Sequence, residues 1–337
     1  MSKAEHSPVT LQQVAARAGV SVSTASRALA GNPAISEAVR QTICEAARDL
    51  RYTAPKRQKR SVTSPGLVTV IMPPISSRVL PDPFILELLG GISVAMRERN
   101  RDFVIGHSAP YDDSSLNAAL DANPKGAFIV LGQSQYHNAL NRQFRRGRNF
   151  VVWGLELPGQ FYCSVGGDNF TGSQKLTRHL LRAGRRRLAF IGLAPYDVFT
   201  ERFAGYRSAL EAADITVDPR LVRSCDIAFE DALDPVNDLL NTGVPFDGIV
   251  ATTDMLALGA MAALRRHGLS VPDDVAVVGY DDVALARHSA PGLTTVRQDV
   301  LKGGALLVSK LLRREAGLSA ASERLPTEMM VRESCGG

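Results

Sequence analysis

Hydrophobic positions recur along this chain with two different rhythms. Between residues 10 and 52 the spacing is helical. Leu11, Val14, Ala15 and Ala18 fall three and four apart, Gly19 follows as a stop signal, and Thr10-Leu-Gln-Gln13 has the T-x-x-Q form of a capping box. Ser21 is placed to cap a second helix after a short turn. In that helix Ala25 and Leu29 stand four apart and can bury against the first helix, while Ser23, Ser26, Arg27 and Ala30 share the outward face. A third helix is capped at Ser36, carries Glu37 in its positive first turn, and turns Val39, Ile43, Ala47 and Leu50 inward. Three short helices with a tight, glycine-containing turn between the first two predict a helix-turn-helix.

From residue 66 short apolar runs alternate with amphipathic stretches. GLVTVIM (66–72) reads as a buried strand and PFILELLGGISVAMRER (83–99) as a helix; DFVIG (102–106), GAFIVL (126–131) and FVVW (150–153) are further strands. After SVGGDN the cycle restarts with a helix over 170–183, strand RLAFIG (187–192), a helix over 201–213, strand GIVAT (248–252), a helix over 254–267 and strand VAVVGY (275–280). The predicted fold class is therefore a small all-α helix-turn-helix head on an α/β body of two doubly wound parallel-sheet subdomains.

Composition changes this picture in one respect. The 337 residues are 45% hydrophobic and 22% charged, as in a soluble globular protein of two or three domains. The net charge of +5 is unevenly placed: residues 1–60 hold ten Lys/Arg and four Asp/Glu, and the rest hold 29 and 30. A basic head on a near-neutral body points to a polyanion partner. The outward face of the second helix suits that partner, being small enough for close approach to DNA. Val22 can touch a thymine methyl, Ser23 and Ser26 can bond base edges or phosphates, and Arg27 can reach a guanine or clamp a phosphate. Thr10, Ser21 and Thr24 complete the candidate DNA-binding set on these helices.

Other chemistries leave no trace in the sequence. P-loop, G-x-G-x-x-G, G-x-S-x-G and H-E-x-x-H patterns are missing, and no two of the six histidines stand at metal-ligand spacing. Asp112-Asp113 and Asp273-Asp274 sit in turn contexts. We therefore expect no catalytic residue, no metal and no cofactor; an enzyme carrying a DNA-binding head is the alternative, recognisable by turnover. Cys44, Cys163, Cys225 and Cys335 are widely spaced, with no C-x-x-C pair. No apolar run of signal-peptide or membrane-spanning type occurs, so a cytoplasmic protein with reduced thiols and no membrane partner is expected. Asp281 and Asp282 follow a strand's carboxyl end, where either ligand binding or helix capping would use them. Trp153 suits a ligand face or plain core packing equally.

TLQQVAARAGVSVSTASRALAGNPAISEAVRQTICEAARDLRY (10–52) resembles the head of the lac repressor and galactose repressor family. The resemblance implies that Val22, Ser23 and Arg27 read the major groove and that Tyr52 closes the head. In the family a hinge helix follows, with a leucine wedged into the minor groove. Here Pro55 comes one residue late and Arg60-Ser61-Val62 replaces Arg-Ser-Leu; a β-branched wedge unstacks a base step less fully. Lys56, Arg57, Lys59 and Arg60 add candidate phosphate contacts whether 53–65 is a hinge helix or a basic linker.

The resemblance continues through DPF (82–84), GGDNFTGS (166–173), RFAGYRSAL (202–210), TDMLALGAM (253–261), VPDDVAVVGYDD (271–282), PGLTTVRQD (291–299) and VRESC (331–335). It implies a head at 8–52 and a periplasmic-binding-protein-like body at 66–337, with subdomains of about 66–165 with 295–323 and about 166–294 with 324–337. It also implies an allosteric homodimer, most simply a repressor, on a near-palindromic operator. Arg202 and Asp281 fall where members grip an effector. Thr253 stands at a position commonly Asn, Ile85 at one often Phe, and Ile227 at one that often supplies a stacking Trp. Phe84, Trp153 and Phe229 are the remaining candidates for stacking. A fixed guanidinium and a carboxylate suit a polyhydroxylated ligand, so a sugar is the expected effector and a nucleobase its competitor.

Overall fold

The computed structural model describes residues 9–29, 35–50, 67–72, 82–106, 112–133 and 135–336. Ala30, Tyr52 and the 53–65 linker, with Lys56, Arg57, Lys59, Arg60 and Val62, lie outside the described residues. The chain divides into two units, residues 1–63 and 64–337.

The first unit contains α1 (Leu11–Arg17), α2 (Val22–Leu29) and α3 (Glu37–Asp49). Its capping box forms: the Gln13 amide N–H donates to Thr10 Oγ1 at 3.4 Å, and the Thr10 N–H donates to Gln13 Oε1 at 2.8 Å. Gly19, at φ +67°, makes the left-handed turn that a side chain would resist, and Ser21 Oγ then accepts from the Thr24 N–H at 3.1 Å to start α2. Val14, Ala15, Ala25, Ala28, Ile43, Ala46 and Ala47 are buried together. Alanines at the contacts let the short helices approach closely.

The second unit opens with β1 (Val68–Ile71), α4 (Pro83–Arg97), β2 (Phe103–Ile105), α5 (Asp113–Asp121), β3 (Ala127–Leu131), α6 (His137–Arg145), β4 (Asn149–Trp153) and β5 (Ser164–Gly167). It continues with α7 (Asn169–Arg182), β6 (Leu188–Ile191), α8 (Asp197–Glu211), β7 (Val222–Arg223), α9 (Leu233–Asn241), β8 (Gly248–Ala251), α10 (Asp254–Arg266), β9 (Ala276–Val278) and α11 (Ala284–His288). It closes with β10 (Thr295–Arg297), α12 (Val300–Glu315), β11 (Glu323–Leu325) and β12 (Glu328–Met330). A parallel sheet in the order β11-β5-β4-β3-β1-β2 forms one layer, and β7-β6-β8-β9 forms another. Strands β3, β6 and β8 are buried at every position, as expected for parallel strands covered on both faces.

Three connections join the sheets. The chain leaves β5 for α7 at Asp168, passes from β10 to α12 through Gln298 and Asp299, and passes from β11 to β12 through Pro326 and Thr327. β10 lies beside β9 through the parallel bridges Val278–Thr294 and Asp281–Arg297, and β12 pairs antiparallel with β10. The first and third crossings touch: the Asp168 N–H donates to Leu325 O at 3.0 Å and Thr327 Oγ1 donates to Asp168 O at 3.5 Å, a carbonyl that Tyr280 Oη also reaches at 3.2 Å. Helices α4 and α12 meet through glycine, since a methyl group on Gly91 would strike Val300 O and one on Gly304 would strike the Gly91–Ile92 backbone. Gly303 likewise leaves room for the Trp153 ring.

Asp254 fixes the start of α10. It is fully buried, accepting from Thr295 Oγ1 at 2.5 Å and from the Val283 N–H at 2.9 Å. Desolvation, helped by the nearby Asp282 charge, pushes its carboxyl up to about 7 from an ordinary 3.8. The folded chain thus holds this proton more tightly than the unfolded chain. The stability it contributes is full below the unfolded value and is lost as pH rises through about 7. The difference in unfolding free energy between the wild type and Asp254→Asn should therefore decline from about pH 4 to about pH 7 in urea titrations. A difference independent of pH would contradict the raised carboxyl.

Candidate nucleic-acid interface and ligand cavity

Helix α2 brings its polar residues to one surface. Ser21, Val22, Ser23, Ser26 and Arg27 are exposed, Thr24 is half-buried, and Ala25 and Ala28 face inward. Val22 is 43% exposed, which is high for an apolar side chain and places it where a base methyl can meet it. Ser21 Oγ lies 2.8 Å from Thr24 Oγ1 and 3.3 Å from Ser23 Oγ, so hydroxyls cluster at the positive end of the helix. Helix α2 carries no carboxylate, and its only cation, Arg27, stands in its last turn. Thr10 serves as the cap of α1. Small side chains, hydroxyls, a helix N-terminus and a cation on one exposed face are complementary to a groove edged by phosphates.

A cavity of about 110 Å³ opens in the second unit at the carboxyl ends of both sheets, where ligands gather in open α/β folds. Of the seven residues expected to bind an effector, it brings together six: Phe84, Ile85, Trp153, Arg202, Thr253 and Asp281. Phe84 follows the α4 cap Asp82, whose carboxylate accepts from the Phe84 N–H at 2.9 Å. The Phe84 and Trp153 rings lie 6.0 Å apart, tilted by 48°. Trp153 proves to be both cavity wall and core, with its ring packed over Gly303. Thr253 Oγ1 caps α10 by accepting from the Leu256 N–H at 3.2 Å.

Phe229 is the exception. The Asp231 carboxylate accepts from the Ala228 N–H at 2.8 Å and starts a tight turn directly after Ile227. Ile227 lines the cavity, but the turn carries Phe229 against Gly259 of α10 and into a separate groove with Met255, Met261 and Leu285. Tyr196 and Phe199, at the start of α8, provide the aromatic faces on that side. Their rings meet edge-on at 5.7 Å.

The floor of the cavity is a buried guanidinium. Arg202 Nε donates to Asn169 Oδ1 at 2.8 Å, Nη1 to Thr252 O, and Nη2 to Asp281 Oδ1 at 3.4 Å. Its carbon stands 3.7 Å over the centre of the Tyr280 ring. Asp281 also accepts from Gln298 Nε2 at 2.8 Å. Burial pushes the Asp281 carboxyl well above the ordinary range, against the pull of Arg202, with Asp254 and Asp82 adding repulsion. Asp82 is raised by burial as well.

Neither adjacent carboxylate caps α11. Asp281 and Asp282 both adopt positive φ, +119° and +59°, and their side chains diverge. Asp281 enters the cavity, whereas Asp282 turns to Arg297 Nε at 2.9 Å and to Arg332. Sequence reasoning passed over Asp82, Gln133, Asn169, Tyr196 and Gln298. Three of them lie inside stretches that carried the resemblance: Asp82 in DPF, Asn169 in GGDN and Gln298 in TTVRQD.

Comparison with known proteins bears on both surfaces. The family model described as bacterial regulatory proteins, lacI family, matches residues 10–54, and that described as periplasmic binding protein-like domain matches 177–335. The HTH-type transcriptional regulator CelR of Thermobifida fusca is 32% identical over 335 residues, covering 96% of this chain and 98% of that protein. The HTH-type transcriptional repressor CytR of Escherichia coli K12 is 28% identical over 341 residues, 99% of this chain and 98% of that one. A solved transcriptional regulator CelR–cellobiose complex superposes with a TM-score of 0.71 at 31% identity, covering 97% and 99% of the two chains. Similarity of that extent, with the head motif in place on an exposed helix, means that this chain belongs to the lacI family of bacterial regulatory proteins.

Proposed function

We propose that this protein is a cytoplasmic repressor that binds a near-palindromic operator as a homodimer and responds to a sugar held between the two sheets of its body. The observation that carries the effector reading is the cavity itself: a fixed guanidinium and a carboxylate on one side, with Phe84, Trp153 and Tyr196 on the others. Polar groups that bond paired hydroxyls and rings that cover the apolar face of a pyranose are the two needs of a sugar site. The similar CelR, solved with cellobiose, supports the same ligand class. The aromatic faces also suit a nucleobase, the competing ligand, which thermal shifts with both compound classes separate.

The rest of the proposal follows from the surfaces. Leu86 and Val94 on α4 and Ile105 on the edge strand β2 are exposed apolar side chains that a second copy of the chain would cover. Among the described residues no helix is long and apolar enough to cross a membrane. The protein acts through binding alone: the effector prefers one arrangement of the body, and operator affinity differs between arrangements. The basic segment 56–60 adds phosphate contacts.

Two measurements test this reading. Arg27→Ala should weaken operator binding by roughly 1–3 kcal/mol and narrow the gap between operator and random DNA in a titration at fixed salt. Equal losses on both DNAs would make Arg27 a phosphate clamp only. Asp281→Asn keeps the volume and one acceptor oxygen for Gln298 and Arg202, so the body should still fold and bind operator. The sugar concentration needed to change operator affinity should rise by about tenfold or more, since a charge-assisted hydrogen bond is lost. An unchanged sugar response would place the effector elsewhere.

A further inference from the structure

Gln133 stands in the wall of the cavity with half of its amide unused. The chain leaves β3 through Gly132, at φ +92°, and this left-handed turn delivers Gln133 to the cavity, where its side chain is 3% exposed. Its Nε2 donates to Leu155 O at 2.8 Å, which fixes the orientation of the amide. Its Oε1 is buried and has no hydrogen-bond partner. The space it occupies exists because residue 154 is glycine: a methyl group there would collide with Oε1. A buried carbonyl oxygen without a donor is costly, so one on a residue that lines a ligand cavity implies that the ligand brings the donor.

The charges around the cavity narrow the ligand further. Among the described residues lining it, Arg202 is the only cation, and three of its five N–H groups are given to Asn169, Thr252 and Asp281. Asp82, Asp197 and Asp281 supply carboxyl groups. Helix N-termini would otherwise attract an anion, but Asp82 caps α4, Thr253 caps α10 and Asp168 caps α7 with their own oxygens, and α8, which has no side-chain cap, carries the Asp197 carboxyl in its first turn. A phosphate or carboxylate entering here would shed its water and meet three carboxyl groups against one cation, itself already paired with Asp281.

We propose that Gln133 is a specificity-determining residue whose Oε1 accepts from one hydroxyl of an uncharged sugar, and that the cavity rejects sugar phosphates and sugar acids. This rests on the reading of the cavity as a sugar site. The test uses the full-length protein, with thermal shifts and calorimetric titrations against glucose, galactose, xylose, maltose and sucrose. Glucose 6-phosphate, glucuronate and adenine serve as the charged and nucleobase counterparts. At least one neutral sugar should bind, and its acidic counterparts should bind at least tenfold more weakly.

Gln133→Met, which keeps the volume and removes the acceptor, should weaken the sugar that binds by about tenfold, the factor one neutral hydrogen bond carries. Removal of the partner hydroxyl, found with a series of deoxy analogues, should cost the same factor in the wild type and nothing further in Gln133→Met. Gly154→Ala, which pushes the amide from its slot from the other side, should reproduce the loss. A neutral sugar that binds Gln133→Met as tightly as the wild type, or acidic sugars that bind as well as neutral ones, would overturn this inference and leave the sugar reading standing. Binding of adenine with no response to any neutral sugar would overturn both.

Discussion

A guanidinium removed from water must have its donors satisfied, and much of the body is arranged around that requirement. Arg202 lies on α8, yet its partners come from the first turn of α7, the end of β8 and the loop after β9. Asp281 reaches onward to Gln298, in the connection between β10 and α12. One buried cation thus ties together two helices, two strand ends and one of the crossings between the sheets. Losing any partner leaves charge or polarity unpaired in a low-dielectric site, which costs more than the pair itself contributes. The cavity floor is therefore rigid, and rigid placement of donors and acceptors is what lets a small cavity discriminate between ligands.

The cavity walls are built differently. Glycine does there what Arg202 does on the floor. Gly303 admits the Trp153 ring, Gly154 admits the Gln133 amide, and a side chain at Gly167 would strike Gln298 Oε1. Each glycine gives up its own side chain so that a functional one from elsewhere in the chain can lie flat against the backbone. The three sheet crossings pass beside this cluster, and the first and third are bonded to each other at Asp168. A ligand touching both sheets therefore acts next to the segments that set their relative position, the arrangement a hinge-bending sensor needs.

Much of this was legible in the sequence where pattern was long. The capping box, the Gly19 stop and the inward alanines marked the head helices, and continuous apolar runs such as AFIVL marked the buried strands. Arg202, Asp281, Thr253, Ile85, Phe84 and Trp153 all reach the cavity. Short elements escaped, because a strand such as SVGG, half glycine, has no apolar run to detect. Helix α8 starts at Asp197, earlier than its apolar periodicity suggests, since its first turn is devoted to the aromatic wall rather than the core. Phe229 was misplaced for a local reason: sequence distance from Ile227 cannot reveal that the Asp231 carboxylate, bonded to the Ala228 N–H, starts a helical turn at Phe229. Gln133 was invisible, because an isolated glutamine has no signature and Gly154, which admits it, is distant in sequence.

Arg202 and Asp281 act as one buried unit in the cavity floor. A double-mutant cycle measures it directly: urea unfolding of the wild type, Arg202→Met, Asp281→Asn and the double variant at one pH. The account predicts that Arg202→Met is the more destabilising single change, because it strands Asn169, Thr252 and Asp281 together. It further predicts a coupling energy between the two sites of about 1–3 kcal/mol. Effects that add to within about 0.5 kcal/mol would mean that the two side chains are merely neighbours, and would contradict the account.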